Sequence, residues 1–178
     1  MRTTRRGQAT VQRFGIISLM PRVTPSPGRR TLRRMVSVDD VAAHILARKG
    51  PMSAMKLQKL IYYCQAWSLV WDDTPLFRET IQAWANGPVC PELWAHHRGQ
   101  FELHAPWRWG DANQLSPDER ATVDAVLDYY GDRSAQWLSD LTHAERPWAA
   151  AREGMSPGVR GTREISHASM ADYYAGLT

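Results

Sequence analysis

The sequence predicts a mainly α fold: a compact bundle of about seven helices around a central buried helix over residues 54–72, with at most a short two-stranded β element. Three observations predict it. Residues 55–71 are apolar on nearly every side, with Leu57, Leu60, Ile61, Cys64, Trp67 and Trp71 at the three-four spacing of one buried face and Tyr63, Ala66 and Val70 beside it. A helix with so little polar surface belongs in the middle of a domain, with other helices around it. Helix-start signals recur along the chain, whereas strand-like character is confined to two short stretches.

Taken in order, Ser37 to Asp40 reads as a capping box with two carboxylates, Asp39 and Asp40, in the first turn. The helix it opens carries Val41, Ile45 and Leu46 and stops at Gly50-Pro51. Ser53 can cap the central helix, which fades at Asp72-Asp73-Thr74-Pro75. Its polar residues are few (Lys56, Gln58, Lys59, Gln65, Ser68), and Lys56 and Lys59 are expected one turn apart at its exposed start. Leu76 to Trp84 alternates around Ile81 and predicts a short strand that leaves sharply at Asn86-Gly87-Pro88. Pro91 fits the first position of a short helix to His97, and a second short strand falls within Phe101 to Trp109.

Ser116-Pro117-Asp118-Glu119 is the clearest helix start, with Val123, Val126, Leu127 and Tyr130 on one face and Gly131 at the end. Ser134 opens another helix, with Trp137, Leu138 and Leu141 expected inward. Thr142 to Glu145 reads as a further capping box, which would put His143 in a first helical turn distorted by Pro147 and Trp148. Gly154 to Gly161 is a loop, and Ser166 begins a last helix with Met170, Tyr173 and Tyr174.

At 178 residues the chain is expected to fold as one domain with a core that needs no disulfides. All eight Trp lie after residue 66, so that core should be aromatic. Two distant Cys give no disulfide framework, which suits a reducing cytoplasm, and no apolar run approaches the roughly 20 residues that span a bilayer.

Charge divides the chain at Met35. Residues 1–34 hold nine Arg and no acidic residue, leaving 13 basic against 18 acidic residues, or −5, in residues 35–178. The leader has the composition of a disordered segment. It reads as a transit peptide, a basic arm for nucleic acid, or the product of a misassigned start codon, since Met35 opens Met-Val-Ser-Val-Asp-Asp-Val, a good domain start. Residues 35–178 are then a single globular domain.

Chemistry is sparse. Cys64, Cys90, His96, His97 and His104 are metal candidates by type, but no close Cys or His pair has ligand spacing, and adjacent helical His96 and His97 point about 100° apart. Cys90 and His143 could form a nucleophile pair only by meeting in space, and nothing local activates Cys90. No phosphate-binding glycine loop and no helix-turn-helix with a basic second helix is evident. The sequence calls for no cofactor.

One combination is more specific. Met55-Lys-Leu-Gln-Lys-Leu-Ile-Tyr-Tyr63, then Pro75-Leu76-Phe77, Ile81-x-Ala-Trp84 and Gly87-Pro88-Val89, in this order and spacing, resembles the Panacea antitoxin domain (SocA-like or GepA-like phage-associated proteins). Tyr130-Gly131, Ser134 to Leu138, Leu141-Thr-His143 with Pro147-Trp148, Ile165 and Tyr173-Tyr174 agree, so the resemblance covers about residues 36–177.

The resemblance implies a cytoplasmic, non-enzymatic antitoxin that neutralises a cognate protein toxin, encoded by a neighbouring gene, by direct contact. The SocA branch implies an alternative, an adaptor delivering the toxin to the ClpXP protease. A DNA-binding autoregulator acting through the leader and a small Cys/His enzyme stand further off. Lys56, Lys59, Trp84, Asn86, Gly87, Pro88, Val89 and His143 are the candidate toxin-binding surface, and Leu57, Leu60, Ile61, Cys64, Trp67 and Trp148 the structural core. Trp84, Trp94, Trp107 and Trp109, in or near turns, are candidates for exposed anchors. An acidic body suits a basic toxin.

Overall fold

The computed structural model describes residues 35–178, so the basic leader over residues 1–34 lies outside the described residues. The elements are α1 (Val38–Lys49), β1 (Met52–Ser53), α2 (Ala54–Trp71), β2 (Gln82–Trp84), β3 (Gly87–Val89), α3 (Pro91–His97), β4 (Glu102–Leu103), a 3-10 turn (Ala112–Gln114), α4 (Pro117–Tyr130), α5 (Ala135–Ala144), α6 (Arg146–Ala151) and α7 (His167–Ala175). The mainly α class and the central helix are those the sequence predicts. The strands form two antiparallel ladders, β1 with β4 and β2 with β3.

Local chemistry sets the helix starts. Ser37 Oγ accepts from the Asp40 amide at 3.2 Å while Asp40 Oδ2 accepts from the Ser37 amide at 2.9 Å. Ser116 and Glu119 repeat the reciprocal pair at 3.2 and 2.7 Å. Each such cap contributes about 1 kcal/mol. Ser53, Ser134 and Ser166 cap α2, α5 and α7. Gly50 ends α1 with φ +76°, a left-handed conformation that other residues adopt at a cost.

α2 is surrounded. α1, α4, α5 and α7 all pack on it, and Leu57 through Ser68 are buried without a break. Tyr63 stacks on Tyr130 at 4.1 Å, Trp67 on Trp71 at 4.7 Å, and Tyr174 meets Tyr62, Tyr63 and Trp67 edge-on. Such pairs add about 0.5–1.5 kcal/mol each beyond burial. Leu57, Leu60, Ile61, Cys64 and Trp67 are core residues as expected. Trp148 packs on the core only partly buried. α1 is tied to α4 by Arg48 on Asp124 and Asp128, and to the turn after α4 by Lys49 on Asp132.

Two local expectations are overturned. Trp137 is 38% exposed, with the Arg133 guanidinium 5.0 Å over its ring, while its neighbour Leu138 turns inward. Thr142 caps nothing: its hydroxyl donates to the Ser139 carbonyl inside α5, and α5 continues to Ala144. Glu145, its supposed partner, points into the core, where its Oε2 accepts from Tyr174 at 2.7 Å and Tyr63 at 3.3 Å. His143 therefore lies in the last turn of α5, not the first turn of a new helix.

Candidate functional site

The polar residues of α2 explain how the surface beside it is built. Gln65 is fully buried; its Oε1 accepts from the Leu76 and Phe77 amides at 2.9 and 3.2 Å, and its Nε2 donates to the Phe77 carbonyl at 3.0 Å. Ser68 Oγ donates to the Thr74 carbonyl at 2.8 Å. Gln58 accepts from the Cys90 amide at 2.8 Å, donates to its carbonyl at 3.4 Å, and lies 2.9 Å from His97 Nε2. Lys59 Nζ donates to the Pro88 carbonyl at 3.0 Å. An apolar helix thus carries a set of hydrogen-bonding side chains: Gln58, Lys59 and Gln65 satisfy loop backbone that would otherwise be buried unpaired, and Ser68 ties down the exposed Thr74.

The loop so held contains the β2–β3 hairpin, paired Gln82 to Val89, Ala83 to Pro88 and Trp84 to Gly87. Gly87 has φ +106°, which the tight return from Ala85-Asn86 requires. Other elements brace the hairpin. Ser139 of α5 donates to the Asn86 carbonyl at 3.3 Å, and Trp148 Nε1 of α6 donates to the Trp84 carbonyl at 2.9 Å. Arg152, 7% exposed, donates to the Ala83 carbonyl and also gathers the carbonyls of Ser156, Pro157 and Val159. The loop before α7 runs alongside, with the Ala83 amide donating to Arg163 and the Ile165 amide to Ile81.

Between this hairpin, the start of α2, the end of α3 and the Gly158–Arg160 loop lies an open groove of about 440 Å³. Trp84 and Trp94, edge to face at 5.3 Å, form one wall, and the Arg160 guanidinium lies 3.7 Å over Trp84. Met55 and Val89 add apolar surface, and Gln58 and Lys59 contribute to the lining. Phe101, 84% exposed, follows the groove residue Gln100.

The expected surface residues divide. Lys59, Trp84, Asn86 and Val89 line the groove together. Gly87 and Pro88 are buried beneath it, Val89 is 8% exposed, and Asn86 is exposed at the turn. Lys59 is 1% exposed, not part of an exposed helix start, because its ammonium is drawn in under the hairpin. Burial pushes its pKa down to about 7. Lys56 is half-buried and lies in the field of Asp132 and Lys49, outside the groove. His143 is also outside; its ring stacks on Trp148 at 4.1 Å and its Nε2 is buried without a hydrogen-bond partner. Of the four turn tryptophans, Trp107 is buried and Trp84, Trp94 and Trp109 are half-buried.

The Cys90 thiol lies 3.6 Å from Glu92, and burial pushes its pKa up to about 12. That is the environment of an inert thiol. His96 lies 3.0 Å from Asp39 and stacks on Trp109, whereas His97 faces Gln58, so the two rings are committed to different neighbours. No helix among the described residues is long and apolar enough to cross a membrane.

Trp94, expected as an exposed anchor, does line the groove, whereas sequence reasoning missed Met55, Arg160 and the bracing Arg152. Arg160 sits in a Gly- and Pro-rich loop that carries no periodic signal. Gln58 and Gln65 did leave a signal, since a polar residue inside an all-round apolar helix must find a buried partner. Comparison with protein families finds a match to the model described as antitoxin SocA-like, Panacea domain, over residues 57–149. Comparison with curated proteins and with solved structures finds no match.

Proposed function

This chain belongs to the SocA-like Panacea antitoxin domain family, and from that premise we propose that it is an antitoxin that neutralises a cognate toxin, encoded by a neighbouring gene, by direct protein–protein contact in the cytoplasm. The observation that carries the reading is the family match itself, which runs through the central helix and the whole β2–β3 hairpin. The geometry supports the contact mode. A hairpin braced by α2, α5 and α6 is ordered before any partner arrives, and a groove with two tryptophans and an arginine has the residue types that dominate protein interfaces.

The test is co-expression of the full chain with the product of the adjacent open reading frame. The toxin alone should arrest growth, and the full chain should restore it. Rescue should persist in a host lacking ClpX. Rescue that vanishes in that host replaces direct neutralisation with delivery to the protease, and no rescue in either host overturns the antitoxin reading.

A further inference from the structure

Lys59 places an ionisable amine where its bracing role does not need one. Its ammonium is 1% exposed and donates to the Pro88 carbonyl, yet among the described residues it has no carboxylate within ion-pair distance. A buried cation without a counter-charge is costly. Gln58, one position earlier on the same helix, braces Cys90 with a neutral side chain, so a brace here does not require an ammonium. The groove residues include no Asp or Glu, although residues 35–178 carry −5 overall. Arg160 at the lip is a second cation, and burial followed by the field of Lys59 holds the His143 pKa down, as expected where positive charge is not cancelled locally.

We infer that the groove is an acceptor for an acidic segment of the partner protein, with one of its carboxylates completing Lys59 as an ion pair and adjacent apolar side chains packing on Trp84 and Trp94. This rests on the antitoxin reading and names the chemistry of the toxin segment that would enter. A carboxylate in a mixed segment matches a pocket that combines a single buried ammonium with aromatic walls. A nucleic acid would bring many phosphates against a body of net −5, which repels it.

Titration calorimetry of the purified full chain with its toxin tests the inference. Lys59→Met removes the charge from a side chain of similar length; it should lower the unfolding temperature, since the Pro88 carbonyl loses its donor, and weaken binding about tenfold or more in the variant shown to be folded by circular dichroism. Arg160→Gln, at the exposed lip, should weaken binding a few-fold with the fold untouched, and it keeps the test decisive if Lys59→Met does not fold. The wild-type chain at pH 8 should take up about one proton from the buffer on binding, read from the heats in two buffers of different ionisation enthalpy, because a partner carboxylate beside Lys59 raises its pKa and favours the ammonium. Binding unchanged in a folded Lys59→Met, or binding without proton uptake, overturns the acidic-segment inference and leaves the antitoxin reading intact. Displacement of the toxin by a short oligonucleotide also overturns it. Failure of the wild-type chain to bind removes both readings.

Discussion

Gly87 and the tip of Lys59 compete for the same space: a Cβ placed on Gly87 would fall 2.6 Å from Lys59 Cε and 2.7 Å from its Nζ. The contact fixes both partners. Gly87 must be glycine for its φ of +106° and for the ammonium beside it, and the ammonium reaches Pro88 only because no side chain intervenes.

Gly87→Ala should therefore lose about 2–4 kcal/mol, combining the left-handed backbone cost with displacement of a buried side chain. Gly99 has φ +82° and nothing within 4 Å of its would-be Cβ, so Gly99→Ala should lose only the backbone part, about 1–2 kcal/mol. Urea unfolding of the two variants measures the difference. Equal losses would mean that Lys59 moves aside freely.

Gln65 predicts a larger effect from a conservative change. Gln65→Leu keeps the volume and leaves the Leu76 and Phe77 amides and the Phe77 carbonyl without partners in a buried site. At about 1–3 kcal/mol for each unpaired group, the variant should lose at least about 3 kcal/mol. The Leu76 and Phe77 amides should also lose protection in hydrogen exchange before the α2 amides do. A loss under about 1 kcal/mol would mean that water satisfies the loop.

These residues show what could be read from the chain and what could not. Ser37 with Asp40 and Ser116 with Glu119 are pairs three residues apart, and the local pattern determines both the cap and the helix behind it. The all-round apolar character of α2 likewise places it centrally. Lys59 was misplaced because a charged side chain is ordinarily solvated, and its partner carbonyl lies 29 residues away, beyond any local pattern. Trp137 obeyed the inward spacing of Leu138 and Leu141 but found a cation on the solvent side, where an aromatic ring is also stable. The Thr142–Glu145 spacing mimics a capping box, yet two tyrosines from α2 and α7 claim the Glu145 carboxylate. The groove was half legible: its hairpin wall lies in one motif, while Trp94 and Arg160 arrive from separate segments.

Glu145 makes stability depend on pH in a defined direction. Burial raises its pKa from 4.5 to about 7, against the lowering effect of the Tyr174 and Tyr63 hydroxyls. Because the folded value is the higher one, the folded state holds the proton more tightly; the stability this group confers is fully present below pH 4.5 and is lost as pH rises to about 7. Glu145→Gln keeps an oxygen for both hydroxyls and never ionises. It should match the wild type near pH 4 and exceed it at pH 8 by on the order of 3 kcal/mol, by urea unfolding at each pH. Lys59 has the opposite sign: its folded pKa of about 7 lies below 10.5, so the stability it confers is present above pH 10.5 and is lost as pH falls to about 7. A Glu145→Gln difference that does not change with pH would place the ionised carboxylate in contact with water.

Cys90 and His143 separate a binding protein from an enzyme. A nucleophilic thiol needs a lowered pKa or an adjacent base. Here burial and the neighbouring Glu92 carboxylate raise the thiol, and the sulfur's recorded partner is Glu92. His143 is turned into a stack with Trp148. Cys90→Ala should cost about 1 kcal/mol by shortening a side chain that is 1% exposed, and His143→Ala should cost stability through its lost stacking on Trp148. Both variants should rescue growth from the toxin as well as the wild type once expressed at equal levels. Loss of rescue in both, with unfolding temperatures within a few degrees of the wild type, would instead require a reaction at this pair.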